Sequence, residues 1–190
     1  MDVSSSAGAA LRLDLPVAAE RRERTLVREA QRGSAAAFEQ LFRSHWPHAY
    51  RAALLVVGDA AAAEDIAQES FLAAVRALDR FDRRRPFGPW LHRIVVNRSI
   101  DWARARSVRR EQFVGDGAEP AADEREPATH ARALAEALTE LQPEQRAVIV
   151  LRYLLDYTPG EIARLLDLPR GTVNSRLRRG LDRLEQAVRA

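Results

Sequence analysis

The sequence predicts an all-α protein made of two small helical domains joined by a flexible linker, the C-terminal domain containing a helix-turn-helix. Three observations carry this expectation. Apolar residues recur at helical spacing through most of the 190 residues. Charge falls into blocks along the chain, although the formal net charge is only +3. The stretch "TPGEIARLLDLPRGTVNSRLRRGLDRL", residues 158 to 184, carries start and stop signals for two helices joined by a tight turn.

Residues 1–24 lack the cationic start and sustained apolar core of a secretory signal, and are expected to be a mostly disordered extension. No apolar run approaches the length of a membrane span, so membrane insertion is not expected and a cytoplasmic location is. The chain has no cysteine, which excludes a disulfide framework, a thiolate zinc site and a thiol redox switch.

The first domain is expected over 25–107. Thr25 caps a short helix, "LVREAQR", that stops at Gly33. Ser34 caps a longer one through Val57, with Phe38, Leu41, Phe42, Trp46, Tyr50, Leu54 and Val57 at helical spacing and Pro47 expected to kink it. Asp59 starts a third helix, whose apolar positions include Ile66, Phe71, Val75 and Leu78; Asp65, Gln68 and Glu69 lie on its other surface. Residues 59–75 contain four acids and no base, so this helix presents an acidic face.

The chain then turns basic. From Arg76 to Arg110 there are eleven arginines against three acids, a net +8. A loop containing Pro86, Gly88 and Pro89 leads to a helix expected from about Trp90 to Ser107, with Leu91, Ile94 and Val95 inward and Arg93, Asn97, Asp101 and Arg104 along one exposed side. Phe81, Phe87 and Trp90 lie among the arginines, including Arg83, Arg84 and Arg85. Aromatics beside cations suit single-stranded nucleic acid, since base stacking is worth about 1–3 kcal/mol per base. For any single one of these aromatics, however, a place in the core is the better reading.

Residues 108–128 contain Gly115, Gly117, Pro120 and Pro127 without sustained periodicity, and read as an acidic flexible linker: residues 111–130 hold six acids and one arginine. The second domain is expected over 129–188. Helix restarts near Thr129 with Leu134, Leu138 and Leu141 on one face, and Pro143 opens the next, which carries Val148, Ile149, Leu151 and Leu154. Thr158, Pro159 and Glu161 form a capping box with proline at the first helical position, and Ile162, Leu165 and Leu166 point inward. Asp167-Leu168-Pro169 ends that helix and another begins at Arg170. Its apolar stripe is Val173, Leu177, Leu181, Leu184 and Val188; Gly171, Thr172, Ser175, Arg178, Arg179 and Asp182 lie opposite. Such a face suits phosphates and base edges in a major groove, the alternative being a solvated face of an arginine-rich chain.

All 30 basic residues are arginine, whose planar fork matches phosphate and guanine. The four histidines, His45, His48, His92 and His130, make no H-E-x-x-H, and there is no G-x-S-x-G or P-loop pattern. No catalytic site, metal or cofactor is expected.

With these residues in place, the chain resembles bacterial RNA polymerase sigma factors of the sigma-70 family, of the minimal two-domain extracytoplasmic-function type, over roughly residues 25 to 188. "AEDIAQESFLAAVRALDRFD" resembles the family's surface for core RNA polymerase, which implies that Asp65, Gln68, Glu69 and Phe71 bind core. "FGPWLHRIVVNRSIDWARAR" resembles the segment that opens and reads the minus-10 element as single strand. There the resemblance implies that Asn97 helps to hold a flipped-out base, with Phe81 and Arg83, Arg84 and Arg85 completing the pocket and Trp90, Arg93, Asp101 and Arg104 alongside. Capturing such a base costs a few kcal/mol of unstacking, which pocket contacts must offset. The C-terminal helices resemble the domain that binds the minus-35 element as duplex, through Gly171, Thr172, Asn174, Ser175, Arg176, Arg178 and Arg179. Arg178 departs from the aromatic or other residue of some relatives, which leaves its base preference open.

The resemblance implies a non-enzymatic, stress-responsive initiation factor whose partners are core RNA polymerase, promoter DNA and an anti-sigma factor. The alternative is a helix-turn-helix regulator that binds duplex operator DNA without polymerase. It leaves the acidic helix and the aromatic, arginine-rich segment without a role.

Overall fold

The computed structural model describes residues 17–112, 134 and 136–189, and among these it contains helices and no strand. Four helices build an N-terminal module: α1 (Val17–Ala30), α2 (Ala35–Val57), α3 (Ala60–Ala77) and α4 (Phe87–Gln112). A 3-10 turn, Leu78–Arg80, and a loop to residue 86 connect α3 to α4. In the C-terminal module a helical turn at 136–139 precedes α5 (Pro143–Tyr153), α6 (Pro159–Leu166) and α7 (Arg170–Arg189).

Local signals set most of these boundaries. Ser34 and Asp59 cap α2 and α3, their side chains accepting from the N–H groups of Ala37 and Ala62. Gly58 ends α2 in the left-handed region, at φ 70°, where a Cβ would in addition meet the Thr139 methyl at 2.9 Å. The Thr158–Glu161 capping box is complete, and Asp167 at φ 55° closes α6 with its N–H on the Ala163 carbonyl.

Two helices differ from the sequence expectation. α1 begins at Val17, eight residues before Thr25, whose hydroxyl donates to the Arg21 carbonyl at 3.0 Å inside the helix instead of capping it. Residues 17–24 are therefore helical; residues 1–16 lie outside the described residues. α4 runs to Gln112, and it can start as early as Phe87 because Pro89 falls in its first turn, where the missing N–H has no helical partner to lose. The rest of the expected linker, from residue 113, and Thr129 lie outside the described residues.

The N-terminal core gathers Leu41, Ala53, Ile66, Phe71, Phe87, Leu91 and Val95. Each large side chain removed from water there contributes roughly 1.5–3 kcal/mol. A second core joins the modules: Ala52 and Val56 of α2 and Val96 and Ile100 of α4 pack with Val148, Leu151, Ile162 and Val173. On α7, Val173, Leu177 and Leu184 are buried as the stripe requires, but Leu181 is exposed and Gly180 takes the inward place. A Cβ at Gly180 would meet Ile149 Cδ1 at 2.7 Å, so the absent side chain is what lets α7 lie close on α5. Leu134 is exposed, whereas Leu138 and Leu141 are buried.

Candidate nucleic-acid interface

The acidic face of α3 forms as its spacing requires: Glu64, Asp65, Gln68 and Glu69 are exposed. Gln68 donates to Glu64 at 3.1 Å, and Arg98 of α4 donates to Glu69 at 2.8 Å. Phe71 is only 3% exposed and packs against Phe42 and Trp46, so it supports this surface from beneath. The sequence reading missed Leu72, and it placed Val75 on the apolar side, opposite the acids, where the structure exposes it beside them. Leu72 and Val75 are 55% and 46% exposed, an apolar centre beside the acids. Leu72 follows Asp65, Gln68 and Glu69 by seven, four and three residues, a helical spacing that was available to find it.

The aromatic question resolves toward packing. Phe81 is 7% exposed and Phe87 is buried; the Phe81 ring lies 4.5 Å from Trp90 and 6.0 Å from Phe87, centroid to centroid. Trp90 is half-buried. These rings form the floor under the loop at 81–86 and do not stand free in it. Arg83, Arg84 and Arg85 are exposed on a tight turn made by Asp82, whose carboxylate accepts from the Arg84 N–H at 3.0 Å and whose carbonyl accepts from the Arg85 N–H at 2.9 Å.

Arg93, Asn97, Asp101 and Arg104 form an exposed stripe along α4. Its far end reaches the other module: Arg104 donates to Glu144 of α5 at 2.6 Å. Burial alone would raise the Glu144 carboxyl, but its own backbone amide, Arg104 and the charge of Arg176 together hold it below its ordinary range. Of the two arginines, Arg104 bonds the carboxylate, while Arg176, half-buried on α7, acts on it through its charge.

On α7, Gly171, Asn174, Arg178 and Arg179 are exposed and Thr172 and Ser175 half-buried. Arg179 folds back along its helix, donating to the Ser175 carbonyl and hydroxyl, both at 3.2 Å. The Ser175 hydroxyl in turn donates to the Thr172 carbonyl at 3.0 Å. A guanidinium held this way is oriented before any ligand arrives.

Beneath the stripe, between the modules, His92 shares a 2.8 Å hydrogen bond with the Tyr157 hydroxyl. Burial drives the His92 pKa down to about 3, with His45 and His48 adding to the shift, and burial pushes the Tyr157 phenol well up. No group of three or more metal-ligating side chains occurs among the described residues, and no helix there is long and apolar enough to cross a membrane.

Two family models match the chain. A model of sigma-70 region 2 matches residues 41–109, and a model of sigma-70 region 4 matches residues 131–184. The chain is 34% identical to the ECF RNA polymerase sigma factor SigM of Mycobacterium tuberculosis strain H37Rv over 169 residues, 89% of this chain and 86% of the relative. It is 29% identical to the ECF RNA polymerase sigma factor SigW of Bacillus subtilis strain 168, over 86% and 95% of the two chains. Among solved structures, CnrH in complex with the cytosolic domain of CnrY superposes with a TM-score of 0.67 at 30% identity, over 88% of this chain and 97% of that one. The sigma factor RpoE of Bartonella quintana, solved with the anti-sigma factor NepR, shares the fold, with a TM-score of 0.64 at 22% identity over 80% and 97%.

Proposed function

The chain belongs to the sigma-70 family of RNA polymerase sigma factors, in its extracytoplasmic-function group, and on that premise we propose how its surfaces divide the work of promoter-specific initiation. The acidic face of α3, with Asp65, Gln68, Glu69 and the exposed Leu72 and Val75, docks on core RNA polymerase. The loop at 81–86 and the α4 stripe take the minus-10 element as single strand, with Asn97 and the three loop arginines touching DNA and Phe81 and Trp90 supporting them. The outward face of α7 takes the minus-35 element as duplex. The observation that carries this reading is the separate exposure of an acidic-apolar face, an arginine loop and an arginine-bearing recognition helix on one chain.

Each DNA contact is modest alone. Tethering both modules to one polymerase raises the effective concentration of the second contact, so two short elements at fixed spacing define a promoter. The chain needs no reaction chemistry of its own for this, and a polymerase subunit works beside the chromosome, in the cytoplasm. CnrH was solved with the cytosolic domain of CnrY and RpoE with the anti-sigma factor NepR, which supports an anti-sigma partner here.

The test is run-off transcription from a promoter library with purified bacterial core polymerase, comparing the wild-type chain with Asn97→Ala and Arg178→Ala. Start sites that require the chain and weaken in both variants are expected. Tight binding to duplex DNA by the chain alone, with no core-dependent transcription, would instead establish the operator-binding regulator.

A further inference from the structure

The loop from Phe81 to Pro86 carries three exposed arginines, and a free loop of this length samples many backbone states that must be ordered before it grips a ligand. Here both ends of the loop are fastened by α1 and the turn that follows it, far away in sequence. At the leading end, the side-chain amide of Gln31, just past α1, donates to the carbonyls of Leu78 at 2.9 Å and Phe81 at 3.0 Å. Both partners are acceptors, so only the amide nitrogen, with its two hydrogens, can serve them together.

At the trailing end, Glu23 of α1 accepts from the N–H of Phe87, the first residue of α4, at 3.0 Å. That N–H is one of the helix donors without an internal partner, and a carboxylate there also meets the positive end of the helix dipole. The other Glu23 oxygen is held by His45 at 2.9 Å, so the carboxylate cannot swing away. His45 itself lies against Phe87, ring centroids 5.3 Å apart, and within 3.2 Å of where a Cβ on Gly88 would stand. Burial alone would raise the Glu23 carboxyl, but the hydrogen bond and charge of His45, the Phe87 amide and Arg24 hold it below its ordinary range. Glu23 and Gln31 are eight residues apart, about 12 Å along a helix, and between them they fix where the loop leaves the core and where it returns.

We propose that Gln31 and Glu23 are positioning residues for minus-10 recognition, α1 serving as a splint that presents the arginine loop in one geometry to the displaced strand. This rests on the reading of that loop as the minus-10 surface. Neither residue is required to touch DNA. Their contribution is that the ordering of the loop is complete before the base arrives, so contacts made on capture are not spent on it.

The experiment uses holoenzyme reconstituted from core polymerase and the full chain, on a promoter that it transcribes in run-off assays and on copies substituted at minus-10 or minus-35. Open-complex rate, discrimination at each element, core affinity and thermal stability are measured for Gln31→Met, Glu23→Ala, Glu23→Gln, Arg84→Ala and Asn97→Ala. Loss of one or two hydrogen bonds at an anchor is expected to slow opening about tenfold in Gln31→Met and Glu23→Ala and to shrink minus-10 discrimination. Minus-35 discrimination and core affinity should stay at wild type, and Glu23→Gln, which keeps an acceptor for Phe87, should recover most of the loss. Wild-type discrimination in Gln31→Met and Glu23→Ala, with loss in Arg84→Ala and Asn97→Ala, would overturn the splint and leave the loop assignment standing. Wild-type discrimination in all of them would overturn the loop assignment and the splint with it. An equal fall on every promoter, together with weaker core binding, would reduce Gln31 and Glu23 to general stability and also overturn the proposal.

Discussion

Arg146 of the C-terminal module donates a 2.6 Å hydrogen bond to the carbonyl of Val56, in the last turn of α2 in the N-terminal module. Its other terminal nitrogen donates to the carbonyls of Thr139 and Leu141, at 2.8 and 3.0 Å. The side chain is buried, which lowers its pKa to about 10 and leaves it charged at neutral pH. The carbonyls of Val56 and Thr139, at helix ends that carry the negative end of a helix dipole, and that of Leu141 just beyond take the place of a carboxylate. Arg146→Ala strands three carbonyls and should cost about 2–4 kcal/mol in urea unfolding. Arg146→Lys, a point charge that cannot fork between the two ends, should fall between. An unchanged midpoint for the alanine variant would mean that this buried guanidinium contributes nothing net.

The His92–Tyr157 contact between the modules gives stability a defined pH dependence. In the unfolded chain a histidine binds a proton near pH 6.5, whereas buried His92 resists doing so until about pH 3. Its contribution is therefore complete above pH 6.5 and is lost as pH falls between those values, at up to about 1.4 kcal/mol per pH unit. Glu23, Asp59 and Glu144, all with lowered carboxyl pKa values, add acid sensitivity only below their ordinary values, 4.5 for the glutamates and 3.8 for the aspartate. Unfolding followed from pH 7.5 to 5 should show wild type losing its advantage over His92→Gln below pH 6.5. Parallel curves would assign the acid sensitivity elsewhere.

On α3, Leu72 is an exposed apolar side chain amid carboxylates. Leu72→Asp should leave stability within about 0.5 kcal/mol, as an exposed substitution does. It should weaken core polymerase binding by tenfold or more, since it places a carboxylate without a partner in the buried part of the interface. Fluorescence titration of labelled chain with core enzyme measures this directly. Wild-type affinity would move the docking surface off this part of α3.

What the sequence disclosed and what it hid follow the range of the interactions. Ser34, Asp59 and the Thr158–Glu161 box were legible because a cap is made by residues within three positions of one another. Thr25 misled because its hydroxyl has a local partner in either setting, and the choice fell to packing: Leu26 and Val27 of α1 are held in the N-terminal core. Phe81, Phe87 and Trp90 each fitted a core better than a stacking surface, but only their mutual contacts show which role each side chain takes. Leu181 and Gly180 exchanged places because the close approach of α7 to α5 rewards an absent side chain, which no hydrophobicity pattern records. Gln31 and Glu23 had no local signal at all, since their partners lie 47 to 64 residues away.

Arg178 and Arg179 leave adjacent positions of α7 with different freedom, and the difference assigns them different roles at the minus-35 element. Arg179 is drawn back along its own helix by Ser175, which shortens its reach and suits a phosphate beside the groove. Arg178 is exposed with no side-chain partner among the described residues, and it keeps the full reach needed for a base edge. Arg178→Ala should therefore cost about 1–3 kcal/mol on the preferred minus-35 sequence and little on a promoter already substituted at the contacted base. Arg179→Ala should weaken all promoters by a similar factor and reduce the salt dependence of binding by about one counterion. Run-off transcription across a set of minus-35 substitutions at several salt concentrations separates the two. Selectivity lost in Arg179→Ala and retained in Arg178→Ala would exchange the roles, and would show that Ser175 aims Arg179 at the bases instead of holding it back.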